Sequence, residues 1–267
     1  MGLKSWGGAL AILAAGLSIA GAEPFDVPVP GRTENDPLLL QGDFTPPRTA
    51  NAPVLVCLHG LGSTRAEWQP LIDAARKKGW GAYAYDARGH GRSQSTLAGD
   101  TIAHDSRRDR TPAFWQAMPG DLIRVLDALE KQKNVAPEQR ILVGASLGAN
   151  VCLLGAGSSP AAGVIALSPG IEYAGLNVES AMAGLPAPAL LVSAKTDLYA
   201  HASAERLLSL AGRPGFVRWT ALEGGTARGD HGTQLFDGKM EERLLEWIAS
   251  VTKTSQPRTT KSPAPKR

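Results

Sequence analysis

One serine in this sequence stands where an alanine would suit the surrounding pattern equally well. Ser146 lies between Gly144 and Gly148, directly after the strand-like run 140–143 and before an apolar helical pattern. Glycines at these two positions let the chain turn sharply from strand to helix, so that the hydroxyl projects above the sheet. The amide dipoles of the new helix point to the same place. The pattern predicts a serine nucleophile that attacks a carbonyl carbon.

Two further motifs suggest groups that could support such a nucleophile. Residues 59–62 read His-Gly-Leu-Gly at the end of an apolar run, and glycines there leave backbone N–H groups able to face an oxyanion. Residues 86–93 read Asp-Ala-Arg-Gly-His-Gly-Arg-Ser after the next apolar run. In order and spacing the three motifs resemble those of the α/β-hydrolase family, over about residues 38–250. The resemblance implies an oxyanion hole formed by the N–H groups of Leu61 and Leu147.

The same resemblance implies where the other catalytic residues fall, because the family order is Ser, then Asp or Glu, then His. Asp197 follows the apolar run 189–193, and His231 lies between the last predicted strand and the last predicted helix. The expected triad is therefore Ser146, Asp197 and His231. In this triad the histidine removes the serine proton and the aspartate holds the imidazole in the correct tautomer.

Alternatives exist for two members of that triad. Asp86 or Asp230 could replace Asp197 as the acid. His201 is a weaker candidate base because it lies only four residues beyond Asp197. The remaining candidate bases, His59 and His90, belong to the two motifs described above, and the resemblance gives them structural roles.

Short apolar runs alternate with helical patterns along the chain, and these elements must position the motifs. Buried strands are predicted at 54–58, 81–85, 140–143, 163–167, 189–193 and 216–221, with an edge strand at 38–44. A capping box of Thr64 and Glu67 is expected to open the first helix. Later helices are predicted around residues 122–129, 207–211 and 240–251. The alternation predicts an α/β fold with a mostly parallel central sheet and helices on both faces.

The two ends of the chain differ from its body. Lys4, an apolar run and the Ala20-Gly21-Ala22 pattern predict a secretory signal peptide at residues 1–22, and hence a periplasmic or secreted protein. Residues 252–267 carry five basic side chains and are expected to be a disordered basic tail. The hydrolase domain then spans residues 23–251. This body has 22 basic and 25 acidic side chains once Lys4 and the tail are removed, so the net charge of +3 arises from the ends.

Several partner classes are disfavoured by the composition. The sequence lacks the basic face with interleaved aromatic residues that is typical of nucleic-acid binding. No stable membrane insertion is expected after processing. No metal or cofactor motif is present, so we expect no metal and no cofactor. Cys57 and Cys152 lie in apolar runs and are expected to be buried free thiols. The sequence gives no oligomeric state.

The segment between residues 167 and 189 is too short for a helical cap domain. Among α/β-hydrolases, the chain therefore resembles the small lidless carboxylesterases and dienelactone-hydrolase-like members. This resemblance implies hydrolysis of short, soluble carboxylic esters. A serine peptidase or amidase of the same fold, an inert binding module and, less directly, a cofactor-free haloperoxidase remain alternatives.

Overall fold

A computed structural model of the protein describes residues 21–33, 36–102, 112–225 and 228–255. The predicted signal peptide at 1–22 and the predicted tail at 252–267 lie almost entirely outside the described residues. Among the helices in the described ranges, none has both the length and the apolar character that a membrane span requires.

The element order follows the predicted alternation of strands and helices. The strands are β1 (Glu23–Pro24), β2 (Val27–Thr33), β3 (Asp36–Leu40), β4 (Gly42–Thr45), β5 (Val54–Leu58), β6 (Gly81–Tyr85), β7 (Arg140–Ala145), β8 (Gly163–Leu167), β9 (Glu172–Tyr173), β10 (Leu176–Asn177), β11 (Ala189–Ala194) and β12 (Val217–Leu222). The α-helices are α1 (Gln69–Lys77), α2 (Pro112–Gln116), α3 (Met118–Lys133), α4 (Leu147–Ala156), α5 (Glu179–Ala183), α6 (Leu198–Ser209) and α7 (Lys239–Ser255). Short 3₁₀ turns occur at Arg65–Trp68, Pro137–Gln139 and Gly232–Leu235.

An eight-stranded sheet in the order β1-β4-β6-β5-β7-β8-β11-β12 forms the centre of the fold. The six strands from β6 to β12 in this order are parallel. At one edge of the sheet, β4 pairs antiparallel with β6, and β1 pairs antiparallel with β4. Two small hairpins, β2–β3 and β9–β10, lie outside this sheet. The predicted α/β class with a mostly parallel sheet is confirmed.

Alternate residues of each central strand enter two different hydrophobic cores. In β5, Val54, Val56 and Leu58 pack into one core, and Leu55 and Cys57 pack into the other. Helices α3, α4 and α6 cover the first face, and α1 and α7 cover the second. Because both faces are covered, every residue of β5, β6, β7, β8 and β11 is buried, whereas the edge strand β12 is mostly partly buried or exposed.

The predicted edge strand at 38–44 is wrong as a single element, because the chain changes partners at Gln41. Residues before it form β3 of the β2–β3 hairpin, and residues after it form β4 of the central sheet. The Gln41 N–H donates to the Ser93 hydroxyl (2.8 Å), and its carbonyl accepts from the Asp86 N–H (3.0 Å). Gly42 then passes so close to Tyr83 that a Cβ would lie 2.5 Å from the phenol ring.

The predicted capping box is also wrong. The Thr64 side chain makes no capping hydrogen bond, and the 3₁₀ turn Arg65–Trp68 precedes α1. The Glu67 carboxylate instead accepts hydrogen bonds from residues of the loop at 60–63. The expectation about the two cysteines is confirmed, since Cys57 and Cys152 are both buried and unpaired. Burial raises the pKa of both thiols, so they remain protonated.

Candidate active site

Ser146 occupies a strained turn between β7 and α4. Its backbone has φ 53° and ψ −120°, a conformation that non-glycine residues rarely adopt. The Ser146 N–H donates to the carbonyl of Leu167 at the end of β8 (2.9 Å). Strain of this kind persists only where the surrounding structure enforces it, and it is often found at functional sites.

The two glycines beside Ser146 are required by close backbone packing. A Cβ on Gly144 would lie 2.2 Å from the carbonyl oxygen of Gly148. On Gly148, a Cβ would lie 2.2 Å from the carbonyl oxygen of Leu58 and 2.6 Å from that of His59. Glycine is therefore required to bring the strand, the turn and the helix together, as the sequence pattern predicts.

The loop at residues 60–63 lies directly beside the serine. A Cβ placed on Gly60 would be 3.4 Å from the Cβ of Ser146. The Gly60 N–H donates to the Glu67 carboxylate (3.1 Å), and the Gly62 N–H donates to Nε2 of His90 (3.1 Å). The amide between them, that of Leu61, has no acceptor among the described residues.

The second predicted oxyanion donor has the same character. The Leu147 N–H belongs to the first residue of α4, where no intrahelical acceptor exists, and it has no other acceptor in the part of the chain that the structure describes. The structure thus places two unpaired amides, those of Leu61 and Leu147, on segments that adjoin Ser146. Such an arrangement can bind a negatively charged oxygen.

Two histidines hold the loop at residues 60–63 in place through hydrogen bonds to its backbone. His59 Nε2 accepts from the Ala87 N–H (2.9 Å), so its Nδ1 carries the proton and donates to the Gly60 carbonyl (2.7 Å). His90 Nε2 accepts from the Gly62 N–H, and its Nδ1 donates to the Arg88 carbonyl (2.9 Å). Both histidines are buried, and burial lowers the pKa of His59. Their roles are structural, as the resemblance implies.

Asp86, one of the two alternative acids, joins the two motifs, and its hydrogen bonds go to Arg65 and Arg92 and not to His231. Its buried carboxylate accepts from the backbone N–H groups of Arg65 (2.8 Å) and Arg92 (2.9 Å) and pairs with the Arg65 guanidinium. The same guanidinium donates to Asp43 (2.6 Å). The second alternative acid, Asp230, accepts from the Thr196 hydroxyl (2.6 Å).

Asp197 and His231 meet at the end of β11. Nδ1 of His231 lies 2.5 Å from Oδ2 of Asp197, so Nδ1 donates to this carboxylate and Nε2 is the ring nitrogen left for another partner. The other Asp197 oxygen accepts from the Ala200 N–H at the start of α6 (3.4 Å). The His231 side chain is 43% exposed, whereas that of Asp197 is 15% exposed. His201 lies elsewhere, with its ring 4.8 Å from that of Trp219.

Ser168 links the loop of His231 to the strand beside Ser146. Its hydroxyl accepts from the Gly232 N–H (2.9 Å), one residue after His231. Ser168 is fully buried and has φ 49°, so it is strained in the same way as Ser146. It follows Leu167, whose carbonyl binds the Ser146 amide. A Cβ on Gly232 would be 3.3 Å from the Cβ of Ala145, which brings the loop to the end of β7.

Tyr173 is a site residue that the sequence reasoning missed. Its ring packs edge-on against His231, with centroids 6.4 Å apart and an interplanar angle of 86°. Its hydroxyl donates to the Ser168 carbonyl (3.3 Å). Burial and the charge of Asp197 raise the pKa of Tyr173, so the phenol stays protonated. Ser146 and His231 share no hydrogen bond in this arrangement.

No cluster of His, Cys, Asp and Glu in the described ranges has the arrangement of a metal site. The chemistry that the arrangement can perform is that of a serine nucleophile with a paired imidazole and two amide donors.

A curated relative covers a small part of the chain. Protein phosphatase methylesterase 1 of Debaryomyces hansenii is 35% identical over 72 residues, which cover 23% of this chain. The chain spans only 18% of the length of that relative.

Solved structures show the same fold over most of the chain. A 2,6-dihydroxy-pseudo-oxynicotine hydrolase has a TM-score of 0.68 at 16% identity, covering 89% of this chain and 70% of its own. A dienelactone hydrolase from Anabaena variabilis has a TM-score of 0.62 at 16% identity, covering 88% of this chain and 98% of its own. A sequence model described as the alpha/beta hydrolase family matches residues 55–266. Together with the sheet, the strained turn at Ser146 and the loops described above, this match shows that the chain belongs to the alpha/beta hydrolase family.

Proposed function

We propose that this protein is a serine hydrolase that cleaves small carboxylic esters through Ser146, His231 and Asp197. The observation that carries the proposal is the 2.5 Å contact between His231 Nδ1 and Asp197. It is made at the carboxyl ends of the strands, where Ser146 is held in its strained turn. The unpaired amides of Leu61 and Leu147 support it, because an ester carbonyl gains negative charge when it is attacked.

The reaction has two halves. His231 Nε2 takes the proton of Ser146 as Oγ bonds to the ester carbonyl carbon, and the amides of Leu61 and Leu147 bind the resulting oxyanion. The carbon–oxygen bond to the alcohol then breaks, and the alcohol leaves with the proton from His231. Water attacks the acyl-serine, giving its proton to His231, and the acid leaves as the proton returns to Ser146. Asp197 stabilises the imidazolium in both halves.

The segment over the site supports a small, soluble substrate. Residues 168–188 contain only the β9–β10 hairpin and the five-residue helix α5, with no helical cap that could enclose a long acyl chain. The named activity of the relative, a methylesterase, is compatible with an ester of a small alcohol.

A fluorophosphonate probe and an ester series test this proposal. We expect the wild type to be labelled once and Ser146→Ala to be unlabelled, with hydrolysis of short esters reduced at least about 10⁴-fold. The exposed Ser158 provides the matched control, since Ser158→Ala removes a hydroxyl away from the site. Absence of labelling of the folded wild type would favour an inert binding module. A preference for anilides over esters would indicate an amidase.

We also propose that the protein is exported and processed after Ala22. The support is the sequence pattern of Lys4, the apolar run and Ala20-Gly21-Ala22. Expression with an intact N-terminus, followed by mass measurement of the mature chain, tests this. A mature chain that begins at Glu23 is expected, and a chain that retains Met1 would contradict export.

A further inference from the structure

The hairpin β9–β10 lies in the segment that follows β8. Strands β9 and β10 pair Tyr173 with Leu176, and the turn between them consists of Ala174 and Gly175. Both turn residues have positive φ, 51° and 81°, as a tight two-residue hairpin turn requires. Such a short hairpin has too little core of its own to be stable, so its position depends on contacts with its neighbours.

Asn150 on α4 binds both the second strand of this hairpin and the segment that precedes the hairpin. Asn150 is fully buried on α4, one turn after Ser146. Its amide donates to the Leu176 carbonyl (2.9 Å), and its side-chain oxygen accepts from the Gly170 N–H (3.1 Å). A buried amide with two satisfied partners holds its neighbours in one arrangement, because losing either bond leaves a buried polar group unpaired.

Tyr199 fastens the outer strand of the hairpin to the helix that follows Asp197. Its hydroxyl accepts from the Glu172 N–H (3.1 Å) and donates to the Glu172 carbonyl (2.7 Å). The rings of Tyr173 and Tyr199 pack edge to face, with centroids 5.5 Å apart. The two rings also fill the space beside Gly170, where a Cβ would lie 2.7 Å from Tyr173 and 2.9 Å from Tyr199. The Tyr173 ring is therefore a fixed wall and not a swinging lid.

The chemistry assigns this wall to one side of the substrate. In the proposed reaction His231 delivers its proton to the departing alcohol, so the alcohol must lie against the imidazole. The Tyr173 ring packs on that imidazole, and its hydroxyl binds Ser168 beside the nucleophile. A ring in this position occupies the space into which a bulky alcohol group would extend.

We propose that Tyr173 is a specificity-determining residue that limits the size of the leaving alcohol, so that the preferred substrates are esters of small alcohols such as methanol and ethanol. This inference rests on the proposed serine-hydrolase function. It assigns the restriction to the alcohol and not to the acyl group, because the alcohol oxygen takes its proton from His231, against which the Tyr173 ring packs.

Two substrate series separate these possibilities. The first holds the acid constant as propanoate and varies the alcohol from methyl to ethyl to butyl, whose leaving groups differ little in acidity. The second holds the alcohol as methyl and varies the acid from acetate to butanoate to hexanoate. Values of kcat/KM are measured for the wild type, Tyr173→Ala and Tyr173→Phe, each normalised to the fraction of sites labelled by fluorophosphonate.

For Tyr173→Ala we expect the butyl-to-methyl ratio of kcat/KM to rise about tenfold, while the acyl-chain ratios stay as in the wild type. Tyr173→Phe keeps the ring and should keep the wild-type alcohol ratio. The matched control is Glu172→Ala, which removes an exposed side chain from the same hairpin. If Tyr173→Ala does not fold, Tyr173→Leu replaces it, because leucine is shorter than tyrosine but fills more space than alanine.

An unchanged alcohol ratio in a folded, labelled variant would overturn this inference and leave the serine-hydrolase proposal intact. An equal shift in both series would overturn it as well, because the ring would then restrict the site as a whole. A wild type that is neither labelled nor active on any ester would instead refute the proposed function.

Discussion

The loop that carries Leu61 and the loop that carries His231 both reach the end of β7, and they are held there by different means. The first is bound by three side chains, Glu67, His59 and His90, and the two histidines are buried. The second is tied by Ser168 and by the contact with Asp197, and its histidine is 43% exposed. The Leu61 loop is thus anchored by two buried side chains although Leu61 itself is 47% exposed, whereas His231 is held at a partly exposed site by fewer contacts.

This difference matches what each region must do. A backbone amide can stabilise an oxyanion only if it is held in place before charge develops, so rigid support improves its contribution. An imidazole must accept and release protons in contact with substrate and water, so partial exposure is compatible with its task. We therefore expect substitutions on the base side to reduce activity alone, and substitutions beneath the Leu61 loop to reduce both activity and stability.

The largest effect is expected for His231→Ala. Loss of the base should reduce kcat at least about 10⁴-fold, because the serine hydroxyl is a poor nucleophile without it. The free energy of unfolding should fall by no more than about 1 kcal/mol, because the side chain is 43% exposed and its hydrogen bond to Asp197 is therefore partly open to water. Steady-state kinetics and urea denaturation measure the two quantities. The control is His201→Ala, and equal losses of activity in both variants would refute the assigned base.

A smaller effect on activity is expected for Glu67→Gln, accompanied by a loss of stability. The carboxylate accepts from the Gly60 N–H and from the Ser63 hydroxyl (2.5 Å), and a neutral amide replaces one acceptor oxygen with a donor. We expect kcat to fall about 10- to 100-fold with little change in KM, and the free energy of unfolding to fall by about 1–3 kcal/mol.

Glu205→Gln is the matched control for this change, because it makes the same substitution on an exposed face of α6. If Glu67→Gln lowered stability but left kcat at the wild-type value, the Leu61 loop would not need this support for catalysis. The contrast between the two regions would then be one of stability alone.

The smallest effect concerns the pH dependence of stability and again lies beneath the Leu61 loop. Burial lowers the pKa of His59 in the folded state below its value in the unfolded chain. As pH falls below about 6.5, the unfolded chain takes up a proton that the folded protein does not. The free energy of unfolding should then fall by up to about 1.4 kcal/mol per pH unit, until the folded-state pKa is reached.

Urea denaturation at pH 8, 7, 6 and 5 tests this for the wild type and His59→Gln. Glutamine does not titrate, so the variant should lose less stability on acidification although it is less stable at pH 8. Parallel pH profiles for the two proteins would contradict the assignment of this acid sensitivity to His59.

The fold could be predicted well from the sequence because its strands are short apolar runs buried on both faces. Val54–Leu58, Gly81–Tyr85 and Gly163–Leu167 have the predicted bounds, and the other buried strands differ by one or two residues. The change of partners at Gln41 could not be predicted, because it depends on Ser93 and Asp86, which are distant in sequence.

The candidate site divides in the same way. Gly144 and Gly148 are needed because a Cβ at either position would clash with nearby backbone. The turn at Ser146 could therefore be predicted from the spacing of the two glycines. The sequence pattern predicts a capping role for Glu67, whereas its carboxylate binds the loop at 60–63, because a helix cap and a loop support use the same residue types. Tyr173 has no motif, and the Gly175 that follows it was the only local hint of a hairpin turn. The position of Tyr173 results from the ring contact with Tyr199 and from the hydrogen bonds that Asn150 makes to the hairpin segment. These contacts form only once the chain is folded.

The dipeptide Leu167–Ser168 connects the two halves of the site through consecutive residues. The Leu167 carbonyl receives the Ser146 amide, and the Ser168 hydroxyl receives the Gly232 amide. The backbones at Ser146 and next to His231 are accordingly both anchored to one peptide unit at the end of a buried strand. A substitution that displaces this peptide unit would therefore disturb the supports of Ser146 and of the His231 loop at the same time.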